Sequence, residues 1–597
     1  VQVYAWLYAT HHDLDAVDAQ LTYYQLATKD TREFRRTYTL DELNRLMTAL
    51  LDDYVAWATR LERWRLQRDQ SIRGLGFPFD DFREGQRQMA VTVYRSIQTD
   101  RRAMIQAPTG IGKTMAALFP ALKALGEGLT AKLFYLTART TGRQAAEKAL
   151  SVMRRRGLQV KSLTLTAKDK LCPYPDATCT PEECPRARGH FDRMKGARLA
   201  AFDRDALDRD TVTRLADAFE VCPFEFSLEM ALWMDTIVGD YNYVFDPRVY
   251  LRRFFAEDNG AYTFLVDEAH NLVDRSREMF SAVLRKQPFL DLRRALREDH
   301  RPLYRAIGRI NTWMVSARRD CLAAGGEAAS REVPDALLPH LQRFHHRAET
   351  WLVKNKPASW KEDLLQLYFD VSTFLRVAER FDDSYTTCTV SDGKELQVKL
   401  FCLDPADQLA EALRRGRSAL FFSATLTPFS YFNALFGGDE ETVFLRLRSP
   451  FPPANLCVIV DGRISTYYRE REQTKYRLAD AITQLVRGKQ GNYLAFFPSY
   501  AYLKMVHDVF CDVFPEIPTI VQARDMNEAA RDAFLEHFVR DNPQTLVGFV
   551  VMGGIFGEGI DLVGRRLSGA AIVGVGLPGI CMERDLIRDH FETTRQA

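Results

Sequence analysis

Short apolar runs recur along the chain, separated by stretches with helical spacing. Each run ends at Gly, Pro, Ser or Thr, and the runs are Met104-Ile105, Leu133 to Leu136, Phe264 to Val266, Ala419 to Phe422, Tyr493 to Phe497, Leu546 to Met552 and Ala570 to Val575. Runs this short between helices are typical of buried parallel strands. They form two groups, before and after about residue 440, so the sequence predicts an α/β fold with two doubly wound domains.

Two segments interrupt this alternation. Residues 276–390 carry helical spacing, for example Leu364, Leu367 and Val371 on one face, and are predicted to be a helical insertion. Residues 168–228 contain four cysteines and are predicted to be a second insertion. The first domain would then comprise residues 71–167, 229–275 and 391–440, and the second would comprise residues 441–597.

The first seventy residues follow another pattern. Val17 to Leu26 is predicted to be a strand, and Thr39 and Glu42 have the spacing of a capping box. Apolar residues then recur on one helical face. Residues 1–70 are therefore predicted to be a separate element that ends in a linker helix.

Composition limits the class of protein. A chain of 597 residues is expected to hold three or four domains. No apolar run approaches the roughly 18 residues of a membrane span, so no membrane contact is predicted. The net charge is only +2, so any contact with nucleic acid must come from local patches. The start lacks Met and a targeting pattern, and is expected to lie inside a domain.

The ten cysteines divide into two sets. Six are scattered singly and are interpreted as small buried hydrophobic residues: Cys321, Cys388, Cys402, Cys457, Cys511 and Cys581. The other four, Cys172, Cys179, Cys184 and Cys222, are close in sequence. In a large enzyme-like chain this clustering favours a metal site over disulfides, and indicates a reducing cytoplasm.

A phosphate-binding loop follows the first apolar run. Its glycines would let backbone N–H groups approach phosphates, Lys113 would reach the β- and γ-phosphates, and Thr114 would hold Mg²⁺. The strand before the loop and the helical stretch after it are the required context. The residues predicted to bind ATP here are Thr109, Gly110, Ile111, Gly112, Lys113 and Thr114.

An acidic pair ends another predicted strand, in the sequence Asp267-Glu-Ala-His270. Asp267 would bind Mg²⁺, and Glu268 would orient and deprotonate the attacking water. Such a pair is a weak signal alone and becomes strong beside the phosphate loop. Lys113, Asp267 and Glu268 are therefore the predicted catalytic residues.

Further motifs are consistent with a nucleotide-driven motor. Ser423-Ala-Thr425 is predicted to couple hydrolysis to nucleic-acid binding, although such a triplet can be a plain turn. Arg83 and Gln86 would contact the adenine side, or be merely solvated. In the second domain, glycines surround Glu558 and Asp561, which are predicted to contact a phosphate or ribose in a cleft between the domains; the alternative is a flexible loop.

These motifs, with Phe496-Phe-Pro-Ser-Tyr500, Tyr135-Leu-Thr-Ala-Arg-Thr-Thr141 and Asp240-Tyr-Asn-Tyr-Val-Phe245, resemble the DinG/XPD-like superfamily 2 DNA helicases. The resemblance covers residues 75 to 597. It implies two RecA-like P-loop motor domains, with an iron–sulfur domain and a helical arch inserted in the first. It also implies ATP-dependent 5′–3′ movement on single-stranded DNA, action at single-strand/double-strand junctions, and a role in DNA repair or recombination in the bacterial cytoplasm, close to the nucleoid.

Both ends depart from this family pattern. Residues 3–9 resemble the tail of a PD-(D/E)XK nuclease, with Tyr4 as the last residue of one of its motifs, and no nuclease activity is expected. The family's final Gln-x-x-Gly-Arg-x-x-Arg motif is absent from the sequence. An arginine finger contributes about 10³- to 10⁵-fold in rate. The chain is therefore expected to be truncated, to bind nucleotide, and to hydrolyse and unwind weakly.

The resemblance assigns a [4Fe–4S] cluster to the four clustered cysteines, which are separated by 6, 4 and 37 residues. Zinc is the alternative, although no Cys-x-x-Cys occurs, and absence of any metal is also open. His190 could replace one cysteine but is interpreted as a surface residue. The basic residues of this region would contact phosphates or form a solvated face: Arg154, Arg155, Arg156, Lys161, Lys168 and Lys170.

Two other functions remain open. One is an RNA-directed DEAH ATPase, against which the cysteine insertion argues. The other is a DNA-binding scaffold with a degenerate motor.

Overall fold

The computed structural model describes residues 1–25, 29–255, 260–354, 356–557, 560, 562–577, 579 and 581–595. The chain divides into two compact units, Val1–Pro450 and Phe451–Ala597. Among the described residues, no helix combines the length and the apolar character needed to cross a membrane.

The N-terminal segment consists of two helices and a β-hairpin. The elements are α1 (Gln2–His11), β1 (Ala16–Tyr24), β2 (Thr31–Thr39) and α2 (Leu40–Gly74). The predicted capping box is present, because Thr39 Oγ1 accepts a hydrogen bond from Glu42 N (3.2 Å) and Glu42 Oε2 accepts one from Thr39 N (3.0 Å). The predicted strand is confirmed as β1, except that Leu26 lies outside the described residues.

The next part of the first unit alternates strands and helices. In chain order the elements are α3 (Gln86–Gln98), β3 (Arg102–Gln106), α4 (Lys113–Gly126), β4 (Lys132–Leu136), α5 (Thr140–Arg154), β5 (Ser162–Thr164), α6 (Lys168–Leu171), α7 (His190–Phe202), β6 (Ala206–Leu207), α8 (Arg209–Ala218), α9 (Pro223–Ala231), β7 (Thr236–Gly239), α10 (Asn242–Phe245), α11 (Arg252–Phe255), β8 (Tyr262–Asp267) and α12 (His270–Phe280).

The last part of the first unit completes two sheets. Its elements are β9 (Ala282–Arg285), α13 (Lys286–Asp299), α14 (Arg301–Ala323), β10 (Glu327–Ser330), α15 (Leu338–Leu352), α16 (Lys361–Ala378), β11 (Tyr385–Ser391), β12 (Leu396–Cys402), α17 (Ala406–Leu413), β13 (Ser418–Ser423), α18 (Phe429–Leu435) and β14 (Val443–Arg446).

A parallel sheet forms the centre of the first unit. Within the described residues it has eight strands in the order β14-β3-β13-β8-β4-β7-β5-β6. Its central strands are buried on both faces, which is why they read as short continuous apolar runs. Strand β14 pairs with β3, and Leu445 packs into the same core. The first sheet thus extends past the boundary predicted at residue 440.

The helical insertion has a core of its own, made by α13 to α16 and centred on residues such as Phe289, Ile307 and Phe344. An antiparallel sheet, β10-β11-β12-β9, was not predicted from the sequence, and its strand β12 lies beyond the boundary predicted at residue 390. Strand β11 has the sequence Tyr-Thr-Thr-Cys-Thr-Val-Ser, so it forms no large apolar run that would indicate a strand.

The cysteine region is attached to the main sheet. It comprises α6 to α9, and its strand β6 pairs with β5 at the edge of the parallel sheet. Of the six scattered cysteines, Cys321, Cys388 and Cys402 are buried as predicted. The prediction is wrong for Cys457 and Cys581, which are exposed, and Cys511 is only half-buried.

The second unit contains a second parallel sheet, with strand order β16-β17-β15-β18 among its described residues. Its elements are α19 (Arg471–Arg487), β15 (Asn492–Phe497), α20 (Tyr500–Val513), β16 (Thr519–Val521), α21 (Glu528–Glu536), β17 (Leu546–Val551), β18 (Gly569–Ile572) and α22 (Met582–Arg595), with 3₁₀ turns at Pro453–Asn455, Tyr468–Glu470 and Gly564–Arg566. The three apolar runs predicted in this domain correspond to β15, β17 and β18.

Candidate functional site

Three parallel strands end side by side in the first unit. In the sheet register, Ser423 on β13 pairs with Gln106 on β3, and Phe422 pairs with Asp267 on β8. Carboxyl ends of parallel strands share one edge of the sheet, which is where ligands bind in such folds. The structure therefore brings the phosphate loop, the acidic pair and the Ser-Ala-Thr triplet together.

The backbone of the loop requires glycine at two positions. Gly110 and Gly112 have φ values of 88° and 83°, in the left-handed region that other residues rarely adopt. A Cβ added at Gly112 would lie 2.6 Å from Gln86 Nε2. Helix α4 begins at Lys113, so its first N–H groups lie beside the loop, as in sites that bind phosphate.

Arg83 and Gln86 contact the loop itself. The Arg83 guanidinium donates to the Gly110 carbonyl oxygen (2.6 Å), and Gln86 Nε2 donates to that of Gly112 (3.3 Å). Gln86 is buried and also accepts a hydrogen bond from Arg83 N (3.1 Å). Both side chains thus support the loop, and their predicted contact with adenine stays a prediction.

Lys113 and Glu268 form an ion pair, with 3.0 Å between Nζ and Oε1. The lysine side chain is 11% exposed and the glutamate 30%. Glu268 has φ of 46°, an uncommon conformation for a residue other than glycine. Backbone strain of this kind concentrates at functional sites. In this conformation the Glu268 carboxylate faces the Lys113 amine of the phosphate loop.

Asp267 is buried at the end of β8 and held by Tyr135 of β4. The Tyr135 hydroxyl donates to Asp267 Oδ2 (2.7 Å) and lies 3.4 Å from Thr114 Oγ1. Burial and the neighbouring Glu268 raise the pKa of Asp267 to about 6, although Tyr135 and Lys113 oppose the shift. A bound cation would stabilise the ionised form, so this carboxyl is suited to hold Mg²⁺ beside Thr114.

The raised pKa of Asp267 makes the stability of the metal-free protein depend on pH. The fold holds this proton more tightly than the unfolded chain, whose Asp pKa is about 3.9. Protonation of Asp267 therefore stabilises the fold fully below about pH 4, and this contribution is lost as pH rises through about 6.

We expect Asp267→Asn, without Mg²⁺, to be more stable than the wild type at pH 8, on the order of 2 kcal/mol, and equal to it near pH 4. Melting temperatures of both proteins across this range, in chelator, measure the effect. An equal difference at every pH would contradict the assignment.

Ser423 links the acidic pair to the triplet. It is fully buried, and its hydroxyl donates to Glu268 Oε2 (3.1 Å). The Ser423 oxygen lies 2.6 Å from His270 Nδ1, so the histidine nitrogen donates when the serine proton goes to Glu268. Thr425 is exposed, and its N–H donates to Ser423 Oγ (3.4 Å). A movement of the Glu268 carboxylate would thus alter the hydrogen bonds of Ser423, and through them the position of Thr425.

Three residues of this network were given no role from sequence: Tyr135, His270 and Tyr241. Tyr241 is buried, and its hydroxyl donates to the backbone oxygens of Asp267 and Glu268. Both tyrosines lie in segments that resemble the helicase family, but tyrosines in apolar surroundings usually indicate core packing. Only their hydrogen bonds to Asp267 and Glu268, which are far away in the chain, show that the two tyrosines belong to the site.

In the second unit, Ser499 caps α20 by accepting a hydrogen bond from Tyr502 N (3.3 Å). The Tyr500 hydroxyl accepts one from Gln522 Nε2 (2.8 Å). Glu558 and Asp561, predicted to contact a phosphate or ribose, lie outside the described residues.

The four clustered cysteines are all free thiols. A hydrogen bond with Cys179, opposed in part by burial, raises the pKa of the Lys168 amine, and the nearby Cys172 and Cys222 add to the rise. Three of the thiols therefore lie close enough to Lys168 to act on its charge. Among the described residues, no group of three or more His, Cys, Asp or Glu side chains is arranged as a metal site. The donor set itself, four unpaired cysteines, suits an iron–sulfur cluster.

The environment of this region corrects two predictions. His190 is buried rather than on the surface, and its Nδ1 accepts a hydrogen bond from Cys222 N (3.2 Å). Arg154 donates to the backbone oxygens of Val160 and Asp205. Lys161 is also buried, 3.9 Å from the ring of Trp64. These two basic residues stabilise the fold and are not placed to contact phosphates.

Family models match three parts of the chain. Residues 84–171 match the DEAD/DEAH box helicase model, residues 158–289 match DEAD_2, and residues 482–597 match the helicase C-terminal domain. Both units thus contain helicase-like sequence.

Curated relatives are distant. The ATP-dependent DNA helicase CHL1 of Vanderwaltozyma polyspora is 22% identical over 65% of this chain and 51% of its own. The ATP-dependent DNA helicase XPD of Sulfolobus acidocaldarius is 21% identical over 83% and 85%. The Regulator of telomere elongation helicase 1 homolog of Anopheles gambiae is 24% identical over 35% and 26%. The chain spans about a quarter to a half of the first relatives it matches.

Solved structures of XPD helicases share the fold. One has a TM-score of 0.55 at 18% identity, covering 87% of this chain and 90% of its own, and S. tokodaii Xpd4 has a TM-score of 0.50 at 14%, covering 85% and 86%. The predicted α/β fold with two RecA-like domains is confirmed. The chain is similar to XPD- and CHL1-like superfamily 2 helicases; a bacterial origin and a nuclease-like N-terminus stay predictions.

Proposed function

We propose that the protein is an ATP-dependent DNA helicase that moves 5′ to 3′ along single-stranded DNA, in DNA repair or recombination. The observation that carries this proposal is the network of Lys113, Glu268 and Ser423, in which the phosphate loop, the acidic pair and the triplet are joined by hydrogen bonds. Relatives whose names include DNA helicase support DNA as the substrate.

The residues of the network have distinct roles in this proposal. Lys113 binds the β- and γ-phosphates, and Thr114 and Asp267 hold Mg²⁺, which neutralises charge on the phosphates. Glu268 leaves its ion pair with Lys113 and accepts a proton from the attacking water. Ser423, the last residue of β13, then transmits the state of Glu268 to Thr425, and through it to the bound nucleic acid.

A cavity between the cysteine region and the end of β7 supports DNA binding. Its volume is about 600 Å³. Arg143, Lys168 and Arg248 line it, with Arg143 paired to Asp240 (3.9 Å) and Arg248 to Asp246 (2.7 Å), and Phe224 and Tyr243 supply aromatic surface. Cations that follow a backbone, with aromatic rings that stack on bases, are typical of sites for single-stranded nucleic acid. Lys168, which lines this cavity, also forms a hydrogen bond with Cys179 of the cysteine region.

In the same proposal Cys172, Cys179, Cys184 and Cys222 hold a [4Fe–4S] cluster that stabilises the cysteine region, with zinc as the alternative. A thiol-bound cluster and a DNA substrate together require a reducing, DNA-containing compartment, such as a bacterial cytoplasm.

We expect about four iron atoms per chain after anaerobic purification, and loss of most of this iron in Cys222→Ser. Iron and acid-labile sulfide analysis measures both. Cys457→Ser, at an exposed single cysteine, is the matched control and should retain the iron. Stoichiometric zinc in the wild type would contradict the cluster.

The proposed function is tested by ATP hydrolysis with and without single-stranded DNA. We expect DNA to raise the rate, RNA of the same length to have little effect, and Lys113→Ala to report the background. Strand displacement from a 5′ overhang and not from a 3′ overhang would support the direction. Stimulation by RNA alone would favour an RNA-directed ATPase. DNA binding without any stimulation would favour the scaffold.

A further inference from the structure

A second cavity lies where the helical insertion joins the parallel-sheet domain. Its volume is about 310 Å³, and it is bounded by α16, α17 and the segment that follows α10. None of the residues of the phosphate loop or the acidic pair lines it. A volume of this size is at the lower end of small-molecule sites.

One buried side chain in this cavity has an unsatisfied atom. Gln408 is 8% exposed, and its Nε2 donates to the Tyr385 hydroxyl (3.1 Å). Its Oε1 is buried and accepts no hydrogen bond from any described residue. Because a buried acceptor without a donor costs free energy, this atom is suited to receive an N–H or O–H group that enters the cavity.

The lining carries more positive than negative charge, since it contains four arginines (Arg248, Arg376, Arg380 and Arg415) and two glutamates (Glu379 and Glu411). Arg380 is paired with Glu411 (3.1 Å), but within the described part of the chain Arg376 and Arg415 make no ion pair with a carboxylate. Among the described residues, the Arg376 guanidinium donates to Ser372 O and the Thr373 hydroxyl; that of Arg415 donates to Val244 O and lies 4.0 Å over the Tyr250 ring. Two guanidinium groups so placed favour an anion such as a phosphate.

Part of the wall is apolar and includes Met279, Phe280 and Val377, while Thr373 and Glu379 add polar groups. An acceptor at the base, an apolar wall and cations at the rim match the three parts of a nucleotide. We propose that this cavity binds one nucleotide unit, with the base against the apolar wall, a base N–H donating to Gln408 Oε1, and the phosphate near Arg376 and Arg415. The unit is either one residue of a single strand or a free mononucleotide.

Photo-crosslinking distinguishes these two sources. The probes are 8-azido-dAMP and a single-stranded oligonucleotide with one 8-azidoadenine, each with a non-hydrolysable ATP analogue filling the phosphate loop. We expect crosslinked peptides that contain Met279-Phe280 or Val377. Capture of the mononucleotide indicates a free ligand, and capture of the oligonucleotide alone indicates a strand. Crosslinks only elsewhere, or none, would overturn the proposal.

Two variants test the named contacts. Gln408→Leu removes the acceptor, and Arg376→Gln removes an exposed rim charge with little risk to folding. We expect each to weaken binding of the captured probe about fivefold, the loss typical of one hydrogen bond. Arg294→Gln is the matched control and should bind normally. Arg294 is an exposed residue of α13 that pairs with Asp291 (2.9 Å). Equal binding by all three would overturn the proposal.

Gln408→Leu has a second readout that does not require activity. The substitution removes an unpaired buried oxygen but also the hydrogen bond from Nε2 to the Tyr385 hydroxyl (3.1 Å), so the ligand-free melting temperature should change little. The rise in melting temperature on adding 8-azido-dAMP in the dark should be lost, and an unchanged rise would contradict the site.

The strand form of this inference rests on the proposed function, and the free-nucleotide form does not. Wild-type ATP hydrolysis with and without DNA is therefore measured beside the crosslinking. Absence of DNA stimulation with capture of 8-azido-dAMP would reject the helicase and keep the cavity site. DNA stimulation with no capture of either probe would support the helicase and reject the cavity site.

Discussion

Glu268→Gln is expected to lower ATP hydrolysis by about 10²- to 10⁴-fold while ATP is still bound, because an amide cannot accept the proton of the attacking water. The amide keeps the shape of the carboxylate and its acceptor oxygen, so Ser423 can still donate to it. It also releases Lys113 from an ion pair. Binding of a fluorescent ATP analogue should therefore be equal or tighter.

Phosphate release under single-turnover conditions measures the rate, and equilibrium titration measures binding. Glu278→Gln is the matched control, since Glu278 is an exposed glutamate on α12 that lies 3.9 Å from Arg275. It should hydrolyse ATP like the wild type. Glu268→Gln with near-normal hydrolysis would assign the base to another residue.

Asp235→Ala is expected to destabilise the first unit by about 3 kcal/mol, because three donors lose a buried acceptor and Arg68 keeps only its pair with Asp69 (2.8 Å) among the described residues. Asp235 accepts hydrogen bonds from Arg68 Nη1 (2.8 Å), Trp64 Nε1 (3.1 Å) and Lys161 N (2.8 Å). Its side chain is 6% exposed and that of Arg68 is 12%. The carboxylate thus holds the linker helix α2 against the start of β7.

The first transition in thermal unfolding should move down, and α2 should become sensitive to protease. The matched control is Lys195→Ala, which breaks the pair with Asp53 (2.6 Å), where both side chains are more than 60% exposed. That pair also joins α2 to the cysteine region, yet its loss should cost at most about 1 kcal/mol. Equal effects of the two variants would show that Asp235 is not the principal contact.

Much of the site could be predicted from local sequence. The phosphate loop, the capping box at Thr39 and the acidic pair after β8 depend on residues that are neighbours in the chain. Their chemistry follows from glycine at positive φ, a side-chain cap, and the end of a buried strand. The central strands were predictable because burial on both faces leaves a continuous apolar run.

Other features were not predictable, because they depend on which strands become neighbours. Strand β14 lies far along the chain from β3 and still completes the first sheet. His190 was interpreted as a surface residue, and only the packing of α7 near Cys222 buries it. The antiparallel sheet was missed because β11 is rich in Thr and Ser and β12 alternates apolar with polar residues, so neither forms a continuous apolar run.

The sequence by itself therefore determined the class of fold and the residues proposed to bind and hydrolyse a nucleotide, since both follow from side-chain chemistry at short spacing. The tertiary structure decided which of them act together. It placed Tyr135 on Asp267, joined Ser423 to Glu268, and left Gln408 Oε1 unpaired in a cavity. The reason is physical: hydrogen bonds and burial act over a few ångströms in space, between residues that lie more than a hundred positions apart in the chain.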